Sequence, residues 1–272
     1  MNNLLAGKRG IIFGALDENS IAWKVALKAH EQGAKFTLTN APVALRLGEI
    51  NKLAEQCGTV VIPADATLTE DLEKLITQSV EQLGGKLDFV LHSIGMSPNV
   101  RKGKAYTDLN YEWFNKTVDI SAISLHKLLQ TCHKLDAIND WGSVLTLSYI
   151  AGQKAFPGYG DMADAKAMLE SIVRSFGLYY GNSKKVRINA ISQSPTKTTA
   201  GTGIKGFGSF FEFAEKMSPL GNAPAEDCAN YCITLFSDYT RYVTMQTLYH
   251  DGGFSNMGVS EAIMQVFEDE KA

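Results

Sequence analysis

The chain has 272 residues, 45% of them hydrophobic, with a formal net charge of -3 and a pI near 6.0. That length suits one large domain, and no linker or internal repeat divides it. The slightly acidic balance, with basic residues scattered among acids, excludes the electrostatic footprint of a nucleic-acid or anionic-membrane binder and leaves small-molecule chemistry.

The N-terminal residues Met1 to Arg9 lack the charged start and apolar core of an export signal, and no stretch approaches the ~18 apolar residues of a membrane span. A soluble cytoplasmic protein is expected. The four cysteines, Cys57, Cys132, Cys228 and Cys232, form no CxxC pair and read as free thiols. Cys228 and Cys232 would share a helix face, but they have no histidine or carboxylate at ligand spacing, so no metal site is expected.

Lys8 to Gly14 is a short apolar run ending in glycine, and Ser20 to Leu27 follows with helical spacing and a serine cap. This strand, turn and helix would offer backbone N–H groups to a phosphate. The intervening Ala15 to Asn19 lacks a second glycine, so the loop reads equally as a phosphate loop or as an ordinary connection. Lys35 to Thr39 is a strand, Val43 to Cys57 a helix and Thr59 to Pro63 another strand. After the second strand stand Asn40 and Ala41, neither the acid that grips a ribose diol nor an arginine for a 2′-phosphate, which leaves the coenzyme open. Asp65 could meet adenine or cap the next turn.

A helix begins at Thr69-Glu70-Asp71-Leu72 and ends at Gly84-Gly85. Leu87 to His92 is the fourth strand, with Ser93-Ile94-Gly95 at its carboxyl end, where small residues admit a flat cofactor. His92 reads as a packed histidine. Met96 to Asp108 is expected to be a loop over that edge, and Tyr111 to Lys134 a long, largely buried helix. Gly142 to Ser148 forms a fifth strand and delivers Tyr149 to the same edge. Tyr159 follows ten residues later at a helix start, with Lys166 seven residues beyond. Seven helical steps turn about 700°, so Tyr159 and Lys166 share a face about 10 Å apart along the axis and can bracket one ligand.

The active helix runs to about Tyr180, and Val186 to Ile191 is the sixth strand, broken by Ser192-Gln193-Ser194-Pro195-Thr196. From Lys197 to Pro219, residues 197–219, glycines and phenylalanines predominate, which suits a lid over an apolar ligand. Ala225 to Ser237 reads as a helix, Met245 to His250 as the last strand, and Val259 to Ala272 as an amphipathic, then acidic, tail. The fold expected is α/β: one doubly wound, Rossmann-type parallel sheet of about seven strands, with helices on both faces and a helical lid.

These residues resemble the short-chain dehydrogenase/reductase superfamily, and within it the bacterial enoyl-acyl-carrier-protein reductases. The marks are the Tyr149, Tyr159, Lys166 spacing, the glycine-poor loop from Gly14 to Ala22, Ser93-Ile94-Gly95, Leu145 to Tyr149, Asn189 to Ser192 and Asp251-Gly252-Gly253. Most of the superfamily places lysine four residues after the tyrosine, where this chain has Ala163. The resemblance implies hydride transfer from a reduced nicotinamide, NADH favoured and NADPH possible, to a trans-2-enoyl thioester carried on acyl carrier protein, in a homotetramer. It implies that Tyr159 stabilises the thioester oxygen, that Lys166 binds the nicotinamide ribose and that Tyr149 lines the acyl pocket, with Met96, Ser97, Met162 and Phe207 also at the substrate. It places Gly14, Ser20 and Ile21 at the pyrophosphate, Asp65 and Ala66 at adenine, Ser93, Ile94 and Gly95 beside the cofactor, and Ile191, Thr196 and Thr198 near the nicotinamide. The chain departs from the family at Gln193-Ser194-Pro195-Thr196 and at Asn40. A carbonyl-reducing enzyme of the ketoacyl type and a non-catalytic dinucleotide-binding regulator are the rival readings.

Overall fold

The computed structural model describes residues 3–46, 49–204 and 206–269. Its first half alternates strand and helix: β1 (Arg9–Phe13), α1 (Ile21–Glu31), β2 (Lys35–Thr39), α2 (Pro42–Leu45), α3 (Ile50–Cys57), α4 (Thr69–Leu83) and β3 (Leu87–His92). Then follow α5 (Pro98–Arg101), α6 (Tyr111–Val118), α7 (Ser124–Lys134), β4 (Ile138–Ser148), α8 (Gly160–Lys184) and β5 (Arg187–Gln193). The chain closes with α9 (Thr199–Thr202), α10 (Phe207–Met217), α11 (Ala225–Phe236), β6 (Thr247–His250) and α12 (Glu261–Asp269).

The six strands form one parallel sheet in the order β2-β1-β3-β4-β5-β6. Parallel strands covered on both faces must be apolar on both, and successive residues point to opposite sides. Ile12, Leu91, Leu145 and Ile191 accordingly pack in one core with Trp23 of α1 and Phe236 of α11. Ile11, Phe13, Val90, Val144 and Ile188 pack in the other, with Leu75 of α4, Leu128 of α7 and Leu169 of α8. Between β1 and β3 the order of connection reverses, opening the crevice in which doubly wound sheets hold ligands.

The expected third strand, Thr59 to Pro63, makes only a single parallel bridge, Leu38 to Val61, so the sheet has six strands rather than about seven. Ile62 N donates to the Leu38 carbonyl and Ala64 N to the Asn40 carbonyl, so the stretch pairs briefly outside the edge strand β2, while Pro63, between them, has no N–H to offer on the outer side. The helix expected from Val43 to Cys57 is two pieces, α2 and α3, with Leu47 and Gly48 between them outside the described residues. The long helix from Tyr111 to Lys134 is continuous but widens into a π segment at Asp119–Ile123. The expected loop from Met96 to Asp108 contains α5 and a 3-10 turn at Tyr106–Asp108. Segment 197–219 contains α9 and α10, and its Lys205 lies outside the described residues.

Candidate active site

The carboxyl ends of β1, β3, β4 and β5 converge at one edge. Gly14, just past β1, has φ +88°, and a Cβ there would lie 1.9 Å from the Ser93 carbonyl oxygen beyond β3. Only glycine lets the two strand ends approach this closely. Ser20 precedes α1, but its hydroxyl donates back to the Asp17 carbonyl at 2.7 Å instead of capping the helix. The first-turn N–H groups of α1, from Ile21 onward, therefore have no side-chain cap. Beside them, Thr39 Oγ1 at the end of β2 is buried without a partner, as is Ser192 Oγ near the end of β5.

Tyr149 leaves β4 in extended conformation, and Tyr159 occupies the N-cap of α8 with φ -93° and ψ -6°. Gly158 (φ +78°) and Gly160 (φ +44°) flank Tyr159 in left-handed conformations and set the direction of its ring. The two tyrosine rings stand 5.0 Å apart, tilted by 46°. Both are half-buried, and burial holds both phenols well above the usual tyrosine range, so they remain protonated donors.

Lys166 is 7% exposed, and its Nζ donates to the Leu147 carbonyl at 2.6 Å. Burial pulls its pKa down from 10.5 to about 8, against the opposing charge of Glu170. Met162 is buried, and a Cβ at Gly95 would lie 3.8 Å from Lys166 Nζ and 3.9 Å from Met162 Cε. The turn after β3 thus passes directly over the lysine.

His92 is fully buried, paired through its two ring nitrogens with Thr146 Oγ1 at 3.0 Å and Ser124 Oγ at 2.8 Å. Burial, reinforced by Lys166, pushes it down to about 3, which makes it a neutral packing residue as its sequence context indicates. Asp65 Oδ1 accepts from Thr67 N at 2.9 Å and Thr67 Oγ1 at 2.7 Å, which is the turn-capping role; Ala66 beside it is buried. Ile94 is half-buried against the α4, α7 and α8 core, and Ile191 is enclosed in the opposite one.

The segment after β5 is tied down by the residues that depart from the family pattern. Gln193 Nε2 donates to the Ala223 carbonyl at 3.0 Å, Gln193 Oε1 pairs with His250 Nδ1 at 2.7 Å, and Ser194 Oγ accepts from Ala223 N at 2.8 Å. Thr196 Oγ1 donates to Ser194 O, and Thr198 Oγ1 caps α9 by accepting from Gly201 N. Thr199 Oγ1 donates to Asp17 Oδ2 at 2.5 Å, joining α9 to the turn after β1. A cleft of about 250 Å³ lined by Glu18, Asn19, Thr196 and Asn222 lies between that turn and this segment.

Phe207 packs on Phe211 at 5.8 Å and faces α9, whereas Phe210 reaches Phe156 at 4.4 Å and Tyr149 at 6.4 Å. The phenylalanine of α10 brought to the tyrosines is Phe210, which composition alone did not distinguish from its neighbours. Two buried acids also escaped the sequence reading. Glu170 accepts from Ser148 Oγ at 2.6 Å and Gln153 Nε2 at 2.9 Å, and Tyr249 OH donates to Gln153 Oε1. Asp161 accepts from Ser97 and Asn99. Glu170 was discoverable as the residue one helical turn after Lys166.

The family model described as Enoyl-(Acyl carrier protein) reductase matches residues 14–255. A protein of Rhizobium meliloti (strain 1021) named enoyl-[acyl-carrier-protein] reductase [NADH] 2 is 34% identical over 258 residues, covering 94% of each chain. The crystal structure of the FabI-NADH complex from Alistipes finegoldii superposes with a TM-score of 0.95 at 64% identity, covering 97% of this chain and 93% of that one. The Bacillus cereus enoyl-acyl carrier protein reductase, solved with NADP+ and indole naphthyridinone, gives 0.88 at 29% identity, covering 94% and 99%. With matched sequence running almost end to end and the same overall architecture, this chain belongs to the enoyl-(acyl carrier protein) reductase family.

Proposed function

We propose that this protein reduces trans-2-enoyl thioesters on acyl carrier protein to acyl thioesters with NADH, in fatty acid elongation. The observation that carries the reading is the placement of two protonated tyrosines and a buried lysine at one sheet edge, beside an open glycine turn. The residues present fit a dinucleotide: the uncapped start of α1 suits a pyrophosphate, the bare Gly95 surface admits a flat ring, and Thr39 and Ser192 offer buried hydroxyls without partners. When bound, NADH supplies the hydride that adds to the β-carbon of the substrate.

Negative charge then develops on the thioester oxygen, and the Tyr159 phenol donates a hydrogen bond to it. Such a donor, fixed in place before the reaction, contributes several kcal/mol to lowering the barrier. Tyr149, 5.0 Å away, lines the acyl pocket, and the α-carbon of the enolate then takes a proton from solvent to complete the acyl thioester. Lys166, with one N–H on the Leu147 carbonyl, offers its two remaining donors to ribose hydroxyls and, with a pKa of about 8, is largely cationic at neutral pH. Gly14, Ser20 and Ile21 hold the pyrophosphate, Asp65 and Ala66 meet adenine, and Ser93, Ile94 and Gly95 flank the cofactor, with Ile191, Thr196 and Thr198 toward the nicotinamide. Met96, Ser97 and Met162 wall the acyl chain, and segment 197–219 serves as a lid that carries Phe207 and Phe210.

The protein works in the cytoplasm as a homotetramer. In support, no helix among the described residues is long and apolar enough to cross a membrane, and α8 leaves Met168, Leu178 and Tyr179 exposed. Sedimentation of the purified protein decides the assembly state. The activity is tested by following oxidation of NADH and of NADPH with crotonyl and acetoacetyl thioesters. Oxidation of NADH with the crotonyl substrate is expected; oxidation only with the acetoacetyl substrate overturns the proposal in favour of carbonyl reduction, and binding without turnover in favour of a regulator.

A further inference from the structure

Asp161 is fully buried in the first turn of α8, two residues after Tyr159. Its oxygens are divided between two neutral donors: Oδ1 accepts from Ser97 Oγ at 2.6 Å, and Oδ2 from Asn99 Nδ2 at 2.8 Å. Among the described residues, no lysine, arginine or histidine forms an ion pair with it. The position beside it is walled by Val100 and Leu109, each 3.6 Å from a Cβ placed on Gly160. An apolar side chain would suit that wall, and a buried carboxylate there is costly unless its hydrogen bonds hold something in place. The start of the α8 dipole and two charge-assisted hydrogen bonds compensate it.

The two donors belong to the segment that leaves β3 and enters α5. Ser97 Oγ also accepts from Val100 N at 3.0 Å and so caps α5. Asn99 spans to Asn110, donating to its carbonyl at 3.0 Å and accepting from its N–H at 3.0 Å, while the Asn110 side chain caps α6. At the near end, Ser121 Oγ accepts from Met96 N at 3.0 Å and donates to Met96 O at 3.3 Å. Ser121 lies in the π segment, an irregularity that recurs at functional sites because it redirects one side chain. The segment from Met96 to Asn99 is therefore held from two helices at once, and Asp161 is the point where it meets the helix that carries Tyr159.

We propose that Asp161 is a positioning residue for the substrate. It locks Met96, Ser97 and Asn99 against the first turn of α8, fixing the gap between the acyl-pocket wall and the Tyr159 phenol. The inference rests on the reading of Tyr159, Met96 and Ser97 as substrate residues. Because the clamp touches the acyl side and neither the turn after β1 nor Lys166, its loss falls on the thioester and spares the coenzyme.

The test compares wild type with Asp161→Asn, Ser97→Ala and the double variant, by steady-state kinetics with crotonyl thioester and NADH and by amide hydrogen exchange at Val100. Asp161→Asn is expected to raise the KM for crotonyl thioester or lower kcat by about tenfold combined, while the KM for NADH stays within about twofold, and to speed exchange at Val100. The double variant loses no more than the worse single one, since both break one clamp. Unchanged thioester kinetics, or equal losses for thioester and NADH, overturns the assignment, as does full additivity of the two changes. Should Asp161→Asn fail to fold, Ser97→Ala, which removes the bond to Asp161 and the cap on Val100 N but no charge, carries the same expected kinetic split between thioester and NADH and the same refutation. A wild type inactive on crotonyl thioester but with faster Val100 exchange in Asp161→Asn refutes the proposed reaction and leaves the clamp standing.

Discussion

Replacing Lys166 with methionine separates what the lysine does for the reaction from what it costs the fold. Its side chain is 7% exposed, and burial brings its pKa from the ordinary 10.5 to about 8, with Glu170 opposing the shift from the next turn of α8. The difference between 10.5 and about 8, at about 1.4 kcal/mol per pH unit, corresponds to roughly 3 kcal/mol lost by keeping the ammonium buried. The native pKa lies below the unfolded one, so between about 8 and 10.5 the unfolded chain binds more protons and stability rises with pH. Below about 8 the full penalty is present. Methionine keeps much of the volume and removes the charge, but strips the Leu147 carbonyl of its donor at a cost of about 1 kcal/mol. Lys166→Met is therefore expected to be about 2 kcal/mol more stable than wild type at pH 7, with the advantage gone by about pH 10. Urea unfolding of both proteins at the two pH values measures this, and the reductase assay in parallel should show turnover reduced by about a hundredfold or more. A Lys166→Met protein less stable than wild type at pH 7, or a stability difference independent of pH, refutes the argument. By the same titration, kcat/KM of the wild type should fall as pH rises through about 8.

Tyr159→Phe removes a phenol with no hydrogen-bond partner among the described residues, so thermal stability should hold while kcat/KM drops by about a hundredfold or more; unchanged turnover shows that another group stabilises the oxygen. Gly14→Ala forces a Cβ to 1.9 Å from the Ser93 carbonyl at φ +88°, and should destabilise the fold by about 2–3 kcal/mol in urea and weaken NADH binding in a fluorescence titration. Wild-type binding by that variant would contradict the close approach of β1 and β3. Phe210→Ala breaks the ring contacts to Phe156 and Tyr149, so tryptic cleavage at Lys197 and Lys216 should accelerate, and equal cleavage rates would show that the aromatic contacts do not hold α10 down.

Local pattern carried most of the fold. Ile11, Ile12 and Phe13 alternate between the two cores because a strand turns each successive side chain over, and the same alternation in Val90 and Leu91 marks β3. Tyr159 and Lys166 were legible for a similar reason: seven residues return a helix to the same face whatever surrounds it, and Tyr159 does stand at the N-terminal boundary of α8. The glycine at position 14 and the small turn at Ser93 to Gly95 likewise announced a close approach, although their mutual contact did not follow from either alone.

What the sequence could not decide depends on partners far along the chain. Asp161 looks like any acid in a first helical turn until the fold brings Ser97 to it across 64 positions. Glu170 looks like a surface acid until Ser148 and Gln153 enclose it. Thr59 to Pro63 has strand composition, but only its place beyond β2 reduces it to one bridge. Among the phenylalanines of α10, only the docking of that helix selects Phe210 for the tyrosines and turns Phe207 toward α9. Backbone periodicity is a property of neighbours, so the sequence by itself determined the elements, their buried faces and the Tyr159–Lys166 pair. Burial of a charge and the facing of a side chain depend on where distant segments come to rest, and only the tertiary structure decided those.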